Sequence, residues 1–224
     1  GNVMTDERLK PVSSLRRAMI RPELGAICGV ILVFAFFLMV AGDSGMFAPA
    51  GFQNWLVVSA QFAIIAVGAC LLMIAGEFDL SVGSMIGFAG VITAILTVQW
   101  GWPAWLAILV TFAICVGLGA INGLLVIRTG LPSFIVTLAF LYILRGLTIW
   151  LSILTTRQTI IGGVREAAEG DWLAALFGGV IFKGFFRWLG EIGLLEPFAR
   201  GARAGQPVVE GVPMLIVWAL GLII

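Results

Sequence analysis

The sequence predicts an all-α membrane protein, a polytopic bundle of transmembrane helices. Three observations carry this. Hydrophobic residues fill 61% of the 224 positions and charged residues only 11%, against about 25% charged in soluble domains. Mean hydropathy is +1.11. The apolar residues also gather into runs of about 20, the length that crosses a hydrocarbon core roughly 30 Å thick.

Five such runs follow in order, over residues 25–42, 55–75, 80–99, 103–127 and 132–151. A sixth begins near 212 and reaches residue 224. At 1.5 Å per residue it extends about 18 Å, short of a full crossing. The expectation is the N-terminal part of a longer protein. Residues 1–24 form a tail, and residues 25–224 an incomplete transmembrane domain with a long connection over 152–211. The first run is long and lacks an Ala-x-Ala site before Asp43, so it reads as a retained span rather than a cleaved signal.

Orientation follows from Lys and Arg. The tail carries Arg8, Lys10, Arg16, Arg17 and Arg21, and the next connection, 43–54, carries neither residue type. The positive-inside rule therefore predicts a cytoplasmic N-terminus. Arg128 then falls inside as well. Trp55, Trp100, Trp102, Trp105 and Trp150 fall at outer span ends, where aromatic residues collect. The 152–211 connection is then external. Leu173, Leu176, Phe177, Val180, Ile181, Trp188 and Leu189 follow helical spacing, with Lys183, Arg187 and Glu191 towards the other side. That pattern predicts an amphipathic helix on the outer interface. Residues 13–20 could form a smaller interfacial helix or a solvated tail.

Composition excludes several functions. The net charge is +1 and no basic stripe exists, so nothing points to nucleic acid. Histidine is absent, which removes His-based triads and histidine zinc sites. No metal site is expected. Cys28, Cys70 and Cys115 lie in apolar runs and read as small packing residues. The chain has no Gly-x-x-x-x-Gly-Lys-Ser/Thr phosphate loop and no Gly-x-Ser-x-Gly elbow. No catalytic residue is expected.

The polar residues inside apolar runs remain. Glu77 and Asp79 separate the second and third runs, although an acid at the bilayer centre costs roughly 2.5–3.5 kcal/mol. Two readings stay open. Asp79 or Ser81 caps the third helix, or the turn lines a polar path, as the broken helices of transporters do. Asn122 lies about one and a half turns from the cytoplasmic end of the fourth run, where an interhelical hydrogen bond is the plain reading. Arg145 is placed in the outer third of the fifth run, either snorkelling or paired with an acid of the outer connection. Ser133 and Thr137 are read as bonding back to their own helix. Gly83 with Gly87, and Gly119 with Gly123, have the spacing that lets helices approach closely.

Gly-Glu-Phe-Asp-Leu-Ser-Val-Gly-Ser at 76–84 resembles the signature of the permeases of bacterial monosaccharide ABC importers, of the ribose, xylose and galactose type. Gly-Ala-Ile-Asn-Gly-Leu-Leu-Val at 119–126 is similar to the family's Gly-rich fourth-span ending. Leu-Pro-Ser-Phe-Ile-Val-Thr-Leu at 131–138, followed by Arg145-Gly146, is similar to its next span. The resemblance covers residues 55–150. It implies a permease subunit in the bacterial inner membrane that pairs with a second permease and performs no covalent chemistry. It further implies two cytoplasmic ATPase subunits that use ATP and Mg, and a periplasmic sugar-binding protein. The segment that docks the ATPase would follow the sixth span. A permease of the branched-chain amino-acid type and a non-transporting membrane scaffold are the alternatives.

Overall fold

The computed structural model describes residues 20–181, 183, 187–188 and 212–223. The possible helix over 13–20 lies outside them but for Ile20, and so does most of the 152–211 connection beyond 181. The chain divides into two units, residues 1–52 and 53–224.

In the first unit, α1 spans Pro22–Ala41. Proline occupies its first turn, where the missing N–H costs nothing, and Glu23 suits the positive end of the helix dipole. The helix is apolar all round, with Met39 87% exposed. That surface suits lipid. A short turn, Gly42–Ser44, ends it, and Ser44 Oγ donates to the Ala41 carbonyl at 2.6 Å.

Four long helices follow. α2 runs Pro49–Ile74, α3 Val82–Ala94, α4 Ala104–Thr129 and α5 Ser133–Thr156. With α1, and with α3 extended to Gln99, they make five helices long and apolar enough to cross a membrane among the described residues. The predicted spans agree in number and order. The start of α2 differs, because Gln53 and Asn54 continue the helix from Pro49 rather than preceding it.

In the second unit, α3 and α5 form the most extensive helix pair, with α4 packed on both. The buried face of α5 reads Ser133, Val136, Thr137, Leu144 and Ser152, the three-to-four spacing of one helical stripe. α3 continues as a π-helical segment over Ile95–Gln99. There Trp100 N–H reaches back to the Ile95 carbonyl at 3.1 Å. Thr93 Oγ1 donates to Thr111 Oγ1 of α4 at 3.0 Å, and Thr97 Oγ1 donates to the Thr93 carbonyl at 2.8 Å. These bonds place hydroxyls where a widened turn needs partners. Cys28 and Cys70 are exposed on their helices and Cys115 is half-buried. This corrects the packing role expected of the first two.

Past α5 come two short helices, α6 Val164–Ala167 and α7 Trp172–Gly178. The expected amphipathic helix is corrected here, because α7 stops at Gly178. Gly179 turns the chain into an antiparallel ribbon that pairs Val180–Ile181 (β1) with Val212–Pro213 (β2). The last helix, α8, spans Met214–Ile223. It packs on α7 through Trp218, whose Nε1 donates to the Leu176 carbonyl at 2.9 Å while its ring lies 5.5 Å from Phe177.

Asp171 ties this outer layer to the bundle. Its Oδ1 accepts from Leu173 N and Ala174 N at 3.0 and 3.2 Å, capping α7. Its Oδ2 accepts from Trp105 N, in the first turn of α4, at 2.9 Å. Desolvation pulls the carboxyl upward, but the backbone donors Trp105, Ala174 and Leu173 outweigh it and hold the group below its ordinary value. A depressed carboxylate contributes its stability above its unfolded pKa and loses it as pH falls through the folded value. A cysteine replacing the buried Leu173 should therefore label slowly at neutral pH. It should label severalfold faster, relative to one at exposed Gln158, once pH drops below the carboxylate range. Asp171→Ala should give the fast rate at neutral pH already. A rate unaffected by either change would mean that Asp171 does not hold α7.

Candidate functional site

A group of polar residues, Glu77, Asp79, Ser81, Asn122, Ser133 and Thr137, gathers at one end of the bundle, where α2 closes, α3 opens, α4 closes and α5 opens. Glycine makes the first closure. Gly76 takes a left-handed φ of 81°. Its N–H bonds to the Met73 carbonyl at 3.0 Å, and Glu77 N–H to the Leu72 carbonyl at 3.1 Å. This is the Schellman arrangement, which satisfies carbonyls that the helix end would leave bare. Gly130, at φ 66°, ends α4 with a bond to the Val126 carbonyl at 3.0 Å.

Beyond Gly76 the turn is held by two further ties. Asp79 Oδ1 accepts from both Ser81 N, at 2.8 Å, and Ser81 Oγ, at 2.6 Å. Ser81 occupies the N-cap position of α3 and is 1% exposed, yet its side chain caps no helix amide. The capping reading is corrected accordingly. Asp79 orders the residue before α3, and the Ser81 carbonyl starts the helix by accepting from Met85 N at 2.9 Å. The second tie crosses to α5. Phe78 N donates to Ser133 Oγ at 3.0 Å. Thr137 Oγ1 donates back to the Ser133 carbonyl at 2.8 Å, as expected, and stands 3.5 Å from the Phe78 carbonyl. Ser133 thus bonds across helices and not to its own. The pairing was not visible in the sequence, because only the fold brings residues 55 positions apart together.

These residues border a cavity of about 250 Å³. Glu77 and Asp79 come to it from the turn, Asn122, Gly119 and Gly123 from α4, and Ser133 and Thr137 from α5. Asn122 is 6% exposed, and its Oδ1 is buried without a hydrogen-bond partner among the described residues. The interhelical bond expected of Asn122 is not made by that oxygen among the described residues. Among the described residues no Lys or Arg lines the cavity. No group of three or more metal-ligating side chains exists among the described residues.

Arg145 stands apart. It lies at the midpoint of α5, not in its outer third, and makes no ion pair among the described residues. With Gly83, Ser84, Gly87 and Thr148 it borders a second, open cavity of about 410 Å³. The glycine spacing also has a different consequence from the one expected. A Cβ on Gly83, Gly87, Gly119 or Gly123 would meet nothing within 4 Å. Within the described chain these glycines shape two cavities rather than a close helix contact. Gly83→Ala and Gly87→Ala should therefore leave stability unchanged or raise it by up to about 1 kcal/mol through helix propensity. A denaturation titration that shows a loss of more than about 1 kcal/mol would place a neighbour against them.

Comparison with known proteins agrees with this architecture. The family described as branched-chain amino acid transport system / permease component matches residues 51–220. The xylose transport system permease protein XylH of Escherichia coli K12 is 32% identical over 205 residues, covering 87% of this chain and 52% of that protein. The Haemophilus influenzae XylH is 34% identical over 165 residues, covering 72% and 44%. The ribose import permease protein RbsC of Haemophilus influenzae is 31% identical over 147 residues, covering 66% and 44%. The chain thus spans about half the length of the curated relatives it matches. No solved structure matches it. With the family matched across most of its length and five helices fit to span a bilayer, this chain belongs to the permease-component family of branched-chain amino-acid-type transport systems and is a multi-pass membrane protein.

Proposed function

We propose that the chain is a transmembrane permease subunit of an ATP-driven importer, forming the path of a monosaccharide. The observation that carries this is the cavity bounded by Glu77, Asp79 and Asn122 among otherwise apolar helices. Polar groups inside a bundle are costly, and they mark substrate pathways. A membrane scaffold has no use for them. The relatives named for xylose and ribose supply the substrate class. The family description favours a branched-chain amino acid instead. An amino acid brings an ammonium that the two carboxylates could meet, but also a carboxylate for which the described lining offers no cation. Hydroxyl groups fit that lining better.

In this reading the subunit performs no covalent chemistry and binds no cofactor. A second permease completes the path, and a periplasmic protein delivers the sugar. Separate ATPase subunits use ATP and Mg, and their cycle biases a two-state equilibrium of access. The basic tail supports a cytoplasmic N-terminus. The 76–81 turn and its cavity then face the cytoplasmic side, and Asp171 the outer side. The test is uptake of radiolabelled D-xylose, D-ribose and L-leucine by the complete complex in proteoliposomes containing ATP. ATP-dependent entry of either sugar supports the proposal. Entry of leucine alone, or of none, overturns it.

A further inference from the structure

Arg145 is a charge that the rest of the molecule leaves unanswered. It sits at the midpoint of α5 and has neither a hydrogen bond nor an ion pair among the described residues. Ser133 and Thr156, the two ends of that helix, each lie roughly 16–18 Å away at 1.5 Å per residue. An arginine side chain does not extend so far, so snorkelling to either end is closed to it. The carboxylates of the 76–81 turn are out of reach as well, because Phe78 of that turn is bonded to Ser133 at the helix start. A charge at mid-membrane is costly against lipid and is found facing a bundle interior or a water-filled cavity. Arg145 borders an open cavity of about 410 Å³. Thr148 joins it there from α5, and Gly83, Ser84 and Gly87 come from α3. The glycines leave the space unfilled, since a Cβ on either meets nothing within 4 Å. Among the described residues no Asp or Glu lines it. The cavity at the 76–81 turn has the opposite sign, with Glu77 and Asp79 in its lining.

We propose that the cavity beside Arg145 is water-filled and lies on the solute path, and that Arg145 makes it a barrier to cations while uncharged solutes pass. The proposal rests on the permease reading, and it concerns what the path refuses rather than what it carries. A lining of one sign gathers ions of the other sign and depletes its own. The acidic turn alone would therefore collect sodium ions and protons at one end of the bundle. A membrane potential would then drive them along any path that opened. An arginine placed in a narrow passage forms an electrostatic barrier against them. Uncharged solutes meet no such barrier. Ser84 offers them a hydroxyl, and Thr148 Oγ1, which donates to the Leu144 carbonyl at 2.7 Å, keeps its acceptor capacity.

Gly87 provides the probe. It lines the Arg145 cavity, and a Cβ there meets nothing within 4 Å. In the complete complex in nanodiscs, with Cys28, Cys70 and Cys115 replaced by serine, Gly87→Cys is reacted with an anionic and a cationic methanethiosulfonate of similar size. Each rate is divided by that of the same reagent with a free thiol in solution. The anionic reagent is expected to be favoured about tenfold or more. Gly123→Cys, in the acidic cavity, should favour the cationic one. Arg145→Gln and Arg145→Met should abolish the preference at Gly87→Cys, and Arg145→Lys should keep it. An unchanged rate at Gly123→Cys in these variants shows that the bundle still forms. In proteoliposomes importing sugar with ATP, entry of radioactive sodium should rise roughly tenfold or more in Arg145→Gln and stay low in Arg145→Lys. A Gly87→Cys that reacts with neither reagent would overturn the proposal, because lipid or a partner chain would then fill the cavity. A preference indifferent to Arg145, or sodium entry that Arg145→Gln leaves unchanged, would overturn it too. In a complex that transports sugar, each of these results leaves the permease reading standing. An Arg145-dependent preference in a complex that moves no sugar would support the charged, water-filled cavity and count against the permease reading.

Discussion

Asp79→Ala is expected to reduce sugar uptake by the complete complex roughly tenfold or more, while Asp79→Asn keeps most of it. The reason is geometric. One oxygen, Asp79 Oδ1, accepts two hydrogen bonds from Ser81, whose side chain is 1% exposed. Alanine removes that one acceptor and with it both bonds, leaving the Ser81 backbone N–H and hydroxyl without their partner, at about 1–3 kcal/mol for each. The turn would then rearrange, moving Glu77 away from the cavity and loosening the Phe78–Ser133 tie to α5. Asparagine has the same Oδ1 in the same place and accepts as aspartate does. Equal and complete loss in both variants would instead assign the role to the charge. Unchanged uptake in both would remove Asp79 from the site.

The sequence made the helices legible because hydropathy and length are enough to recognise a span. It also exposed Glu77, Asp79 and Asn122, since polar residues between apolar runs stand out. What it hid depends on long-range contact. Ser133 looked like a residue that bonds to its own helix, and only the return of α5 beside the turn gives it Phe78 as partner. Asp171 carried a usable signal, an Asp directly before an apolar helical run. It was obscured by reading the segment as one long interfacial helix, although the Gly178–Gly179 pair is a breaker. The four-residue glycine spacing suggested helix contact, but spacing cannot tell a helix partner from an open cavity. Arg145 was misplaced because the fifth helix runs on to Thr156, five residues past the predicted end.

The second large effect is on the packing that supports the site. Leu144 is 1% exposed and lies in the buried stripe of α5 that begins with Ser133 and Thr137. Its neighbour Ile143 is 54% exposed. Lipid tails are as apolar as leucine, so burial from water does not drive this contact. Close packing does, and removing a buried side chain forfeits dispersion contacts on every side. Leu144→Ala is therefore expected to destabilise the fold by about 2–5 kcal/mol, the usual range for such a cavity. Ile143→Ala, one residue away on the same helix, should change stability by less than about 1 kcal/mol. Equilibrium unfolding in mixed micelles, read by circular dichroism, measures both. The order matters more than the absolute values. If Ile143→Ala costs as much as Leu144→Ala, the packed face of α5 has been misplaced, and with it the register that brings Ser133 to Phe78. If only Leu144→Ala is costly, loss of uptake in that variant should follow loss of folded protein, whereas Asp79→Ala should lose uptake from protein that remains folded.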